Sequence, residues 1–179
     1  MVLKYDLSEK ICLDFLTSNI LKTRQAKKYI RQFSILYLFF IVFLFLNYSL
    51  TVSIFLSVII ICVILSLKKI FLISFKKKFR NPSIRNSNII FFNKLILNLS
   101  NNLVNIKSEY ENVSIPFDKI KYIYISDEYI FIINKISKDI LIPINILDSI
   151  SDKNEFLNFF TDKNIIVTTT FPDDYSFVY

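Results

Sequence analysis

The sequence predicts a membrane α+β protein: a two-helix transmembrane hairpin followed by a small antiparallel β domain, of barrel or sandwich type, closed by a C-terminal helix. Three observations carry this. No charged residue occurs from Gln32 to Leu67 in the 179-residue chain. That stretch is flanked on both sides by lysine and arginine. After Arg80 the apolar residues fall into short β-type runs about ten residues apart, the spacing of small β folds.

The charge-free stretch must be two spans rather than one. As one straight helix, residues 33–67 would be about 52 Å long at 1.5 Å per residue, against a hydrocarbon core about 30 Å thick. Asn47-Tyr48-Ser49 is the place to turn, and tyrosine suits an interfacial position. Each span is then short, so bilayer thinning or snorkelling by Arg31 and Lys68 is expected.

The flanks set the orientation. Lys22, Arg24, Lys27, Lys28 and Arg31 precede the hairpin; Lys68, Lys69, Lys76, Lys77, Lys78 and Arg80 follow it. Positive flanks mark the cytoplasmic side, so both termini are expected in the cytoplasm and the number of spans should be even. Residues 1–94 carry 15 basic and 3 acidic side chains, and residues 95–179 carry 7 and 12. The basic half brackets an apolar stretch, which reads as topology and not as a nucleic-acid surface. The cluster from Lys68 to Arg80 is also a candidate site for anionic lipid headgroups, at about 1 kcal/mol per basic residue near the surface.

Ser49, Ser53 and Ser57 recur every four residues and share one face of the second span. Small residues let membrane helices approach closely. Two readings fit: a contact between two copies of the chain, or packing against the first span of the same hairpin. Cys62 reads as a small buried apolar residue.

Residues 1–32 form an N-terminal amphipathic and basic segment. Ser8 is a candidate N-cap, and Ile11, Phe15, Leu16 and Ile20 would line one helix face. That helix lies on the membrane surface or docks on the C-terminal domain. Residues 68–87 form a basic linker in which Asn81-Pro82-Ser83 breaks any helix continuing from the second span.

The β domain is expected over 88–165. Strand candidates are Ile89–Phe92, Leu95–Leu99, Leu103–Lys107, Asn112–Ile115, Ile120–Ser126, Tyr129–Asn134 and Ile140–Pro143. Asn101-Asn102 and Asp127-Glu128 supply turns. Asp152-Lys153-Asn154-Glu155 is a capping-box pattern opening an apolar helix at Phe156. Strands followed by a closing helix are the order of a pleckstrin-homology-like (PH-like) fold. Residues 166–179 are the C-terminal tail, in which Phe171–Tyr179 alternates aromatic and acidic residues and either adds to a sheet edge, docks on a partner or frays.

Chemistry is sparse. The chain has no glycine and no histidine, and two cysteines, Cys12 and Cys62. Glycine-dependent phosphate loops are excluded, as are the usual general base and a four-ligand cysteine or histidine zinc site. Asp127 with Glu128, and Glu109 with Glu111, are the nearest things to acid–base pairs, and both read as solvated loop carboxylates. No catalytic residue, cofactor or metal is expected.

The order of parts resembles the YcxB-like family of bacterial membrane proteins. The resemblance lies in Tyr5-Asp6-Leu7-Ser8 with Asp14-Phe15, in the basic stretch ending at Arg31 before two spans, and in Ile115-Pro116-Phe117-Asp118-Lys119-Ile120. It continues through the paired aromatic-Ile strands, Ile140-Leu141-Ile142-Pro143 and the helix with Asn154-Glu155-Phe156. It implies two transmembrane helices in the bacterial plasma membrane and a cytoplasmic PH-like domain, with no established activity. The expected function is a non-enzymatic anchor that holds this domain at the inner membrane face to engage a protein or lipid partner. The net negative charge of residues 95–179 favours a protein. The alternative is an immunity protein against a membrane-active bacteriocin or toxin. That reading rests on small size, the lack of catalytic residues, the membrane position and a composition typical of AT-rich loci.

Overall fold

The computed structural model describes residues 1–79, 91, 93–100, 102–109, 111–147 and 150–175. The chain opens with a strand that the sequence reading did not include. In β1 (Val2–Leu7) alternate residues Leu3, Tyr5 and Leu7 are buried. This is the period-2 pattern of a half-buried strand. β1 pairs antiparallel with β2 (Asn93–Leu99), Leu3 opposite Leu97 and Tyr5 opposite Leu95. Residues 2–7 are thus part of a sheet and not of a separate N-terminal segment.

Ser8 then caps α1 (Glu9–Ile20), its hydroxyl accepting from the Ile11 amide at 3.3 Å. Cys12, Phe15, Leu16 and Ile20 of α1 are buried in the core shared with the sheets. Ile11, expected on that face, is exposed, and Cys12 takes the place. Of the two expectations for this helix, the structure has it docked on the β domain. Phe15 stands at the centre of an aromatic cluster, with ring centroids 5.0 Å from Phe131, 5.7 Å from Tyr129 and 6.5 Å from Phe171.

Two long helices follow, α2 (Arg24–Asn47) and α3 (Leu50–Phe79), both long and apolar enough to cross a membrane. They extend beyond the charge-free stretch: the basic residues from Arg24 to Arg31 form the first turns of α2, and Lys68 to Lys78 the last turns of α3. The turn falls where the sequence put it. Tyr48 caps α2 with its amide on the Leu44 carbonyl. The same carbonyl accepts the Ser53 hydroxyl across the hairpin at 2.9 Å. Ser53 and Ser57 are buried, whereas Ser49 lies exposed in the turn. Cys62 is exposed on the outward side of α3, contrary to expectation, because the buried stripe follows Ser53, Ser57, Ile60 and Leu67.

The remaining strands are β3 (Leu103–Lys107), β4 (Asn112–Pro116), β5 (Ile120–Ile125), β6 (Tyr129–Asn134), β7 (Ile140–Pro143) and β8 (Ile166–Thr168). Two four-stranded sheets result, in the orders β1-β2-β3-β4 and β7-β6-β5-β8. β8, also not expected, pairs parallel with β5; the other pairings are antiparallel. Between β7 and β8 runs α4 (Ile150–Thr161). It starts two residues before the expected capping box, so Asp152 sits in its first turn and not at its N-cap. Phe156 and Phe160 bury its inner face. Asn164 follows with φ 58°, supplying in a glycine-free chain the left-handed residue that helix ends favour.

The expected strand residues Ile89, Ile90 and Phe92, the break at Asn81-Pro82-Ser83, Asn101 of the expected turn, and Arg80 lie outside the described residues. The lower end of α3 belongs to the β domain: Phe75 and Phe79 are buried in the core cluster, with Phe71 and Leu72 against it. Phe15→Ala should cost about 3–5 kcal/mol, the usual range for a deleted core aromatic. Thermal unfolding of the full chain followed by near-UV circular dichroism would measure it; an unchanged transition would contradict the central place given to Phe15.

Candidate functional site

A concave surface lies where α1 meets the β5–β6 turn. A groove of about 530 Å³ opens there. Its floor is aromatic, made of Phe15, Tyr124 and Tyr129, and its rim carries Asp14, Asp127 and Glu128 with Lys22 on the far side. The local sequence builds this directly. Asp127-Glu128 is the turn expected between the two aromatic-Ile strands. Ser126 fixes it, its amide and hydroxyl donating to the Tyr129 carbonyl and its oxygen accepting from the Tyr129 amide. On α1, Asp14 and Ser18 stand four residues apart and share the helix face that lines the groove, and Lys22 joins them from just past the helix end.

The groove's rim is acidic on balance, with three carboxylates against the Lys22 ammonium. Burial, then the neighbouring Asp127, holds the Tyr124 phenol above its usual pKa; burial, then Glu128, does the same for Tyr129. Both phenols therefore stay neutral. An ammonium or guanidinium group placed here would meet three carboxylates and aromatic faces. Asp14 already faces one cation of the chain, the Lys76 ammonium at 4.0 Å, which links the groove to the foot of α3. Among the described residues, no group of three or more His, Cys, Asp and Glu side chains is placed to hold a metal ion.

The other sequence candidates are dispersed. Glu109 lies in the β3–β4 loop, and Glu111 pairs with Lys138. Lys68, Lys69, Lys76, Lys77 and Lys78 are exposed along the foot of α3. Ser53 bonds to α2 of the same hairpin, and Ser57 is buried rather than open to solvent.

Sequence reasoning missed the fastening of the C-terminal segment. Phe171 and Tyr175 are buried, Phe171 stacked on Phe131. The Tyr175 hydroxyl donates to the Asp139 carboxylate at 2.6 Å, and Asp139 also accepts from the Asn134 amide at 3.0 Å. Asp174 accepts from Lys121 at 2.6 Å, which holds its carboxyl below the usual range. The Arg24 amide, at the start of α2, donates to the Asp173 carbonyl. The available signal was the aromatic spacing of Phe171 and Tyr175; nothing in the local sequence marks Asp139 as buried.

Comparison with known proteins adds no relative: no protein-family model, curated protein or solved structure matches this chain.

Burial pushes the Asp139 carboxyl up to about 7, against the opposing hydrogen bonds from Tyr175 and Asn134. The folded chain thus keeps a proton that the unfolded chain loses near pH 4. Stability should fall as pH rises from about 4 to about 7 and level off above that. Asp139→Asn should flatten this part of the profile, which denaturant titrations at several pH values would show. An Asp139→Asn profile as steep as the parent's would remove Asp139 as the cause.

Proposed function

We propose that this chain is a non-enzymatic membrane anchor. Its two apolar helices span the plasma membrane as a hairpin, and its β domain is held at the cytoplasmic face, where the groove between α1 and the β5–β6 turn takes a basic segment of a protein partner. One observation carries the membrane reading. Of the 24 residues of α2, Ala26 and Leu44 alone are buried, and the apolar side chains outward of the turn, such as Phe39, Leu46, Phe55 and Leu65, are exposed on both helices. An apolar surface this continuous is a membrane or interaction surface. The basic residues at the feet of both helices support a cytoplasmic position for the β domain.

Two four-stranded sheets with a late helix are compatible with a PH-like domain, and the part order that resembles the YcxB-like family points the same way. The partner reading rests on the acidic, aromatic-floored groove, which matches basic side chains better than anionic lipid. It accords with the net negative charge of residues 95–179.

Thiol labelling tests the topology. In a Cys62→Ser background, Ser49→Cys should react with an impermeant reagent on intact cells, and Lys135→Cys should react only after lysis. Labelling of Lys135→Cys on intact cells would place the β domain outside and end the proposal. For the groove, a photo-crosslinking residue at position 18 should yield adducts in cells that disappear with Asp127→Lys/Glu128→Lys. Adducts that persist in the charge-reversed variant would exclude the groove as the partner site.

A further inference from the structure

A second concavity lies between the feet of the two long helices. It has a volume of about 460 Å³, within the range of small-molecule sites. Phe33 of α2 and Leu67 and Phe71 of α3 make it apolar; Tyr29, Ser74 and Lys78 supply its polar groups. Among the described residues no carboxylate lines it, and Lys78 is the charged one, in a last turn shared with Lys76 and Lys77.

Its depth in the bilayer follows from the lengths of the apolar runs. Residues 33–47 and 50–67 rise about 22 and 27 Å as helices, short of the hydrocarbon thickness of about 30 Å. The hydrocarbon therefore reaches about a turn past Arg31 and Lys68, whose apolar stems let the charges snorkel outward. Phe33 and Leu67 are then inside the hydrocarbon. Lys78, about 16 Å further along α3 at 1.5 Å per residue, stands on the headgroup side. The cleft thus crosses the boundary with its apolar end in the chains and its cation among the headgroups.

We infer that this cleft binds one anionic phospholipid, with the upper part of an acyl chain between Phe33, Leu67 and Phe71 and the phosphate at Lys78. The lining residues follow the order of the lipid: Tyr29 and Ser74, which can meet ester oxygens, come after the apolar walls, with Phe75 beside them, and the cation lies at the end. A partner's helix fits worse. At about 10 Å across, it would fill more than twice the cleft's volume over the same length. This inference rests on the proposed membrane hairpin and gives it a specific ligand.

Native mass spectrometry of the full chain, extracted from membranes and titrated with phosphatidylglycerol or phosphatidylcholine, tests it. Ser74→Trp, at an exposed position on the rim, should abolish retention of a single phosphatidylglycerol. Lys78→Gln should weaken it roughly fivefold, the equivalent of about 1 kcal/mol for one basic residue, and leave phosphatidylcholine unchanged. Ile61→Trp, on the outward side of α3, should change neither. If Ser74→Trp is not recovered folded, Ser74→Leu narrows the cleft and should lower retention in the same direction. Equal retention by the parent and the Ser74 variants, or equal loss in Ile61→Trp, would overturn the site while leaving the hairpin in the membrane. Recovery of the parent in the soluble fraction without detergent would overturn the membrane reading and the site together.

Discussion

The pairing of β1 with β2 is the constraint on which the rest of the molecule depends. Val2–Leu7 and Asn93–Asn98 stand opposite each other residue by residue, and both apolar helices lie in the chain between them. The hairpin is therefore an insertion into one β domain and not a leader attached to its front. Closing so long a loop costs more entropy than closing a short one, though only logarithmically with length. The buried side chains of Leu3, Tyr5 and Leu7 offset that cost, together with the docking of α1. The two helices leave and rejoin the domain close together, with Arg24 bonded to Asp173 and Phe75 and Phe79 in the core.

That insertion explains what could be read from the sequence. The hairpin was legible because its signal is local: an uncharged run, a polar interruption at Asn47-Tyr48-Ser49 and basic flanks. The β5–β6 hairpin was legible for the same reason, since both strands and their turn lie within 15 residues, Ile120 to Asn134. β1 carried the right alternation, but its partner lies at residue 93 and beyond, and a six-residue strand beside a capped helix gives no hint of it. β8 is three residues long and pairs parallel with a distant strand, so local pattern could not reveal it.

The site was half legible. Asp127 and Glu128 were recognisable as turn carboxylates, but Phe15 and Asp14 come to them from the far side of the helical hairpin in sequence. Individual environments failed in a consistent way. Cys62 and Ile11 were assigned by residue type and by one choice of helical phase. The actual phase of α1 passes through Cys12, where burial pushes the thiol up to about 12. Asp139 is the reverse case, a charged residue type placed in the interior by its neighbours.

The split domain has a consequence for synthesis. At about 5–20 residues per second, the ribosome makes β1 some 5–20 s before β2 exists. Throughout that interval Leu3, Tyr5 and Leu7 have no sheet to join, and α1 has no aromatic floor to sit on. The first strand must be kept from wrong pairings while the two most apolar segments of the chain are produced. Its alternation with Lys4 and Asp6, charges that edge strands use against unwanted pairing, suits a strand that has to wait.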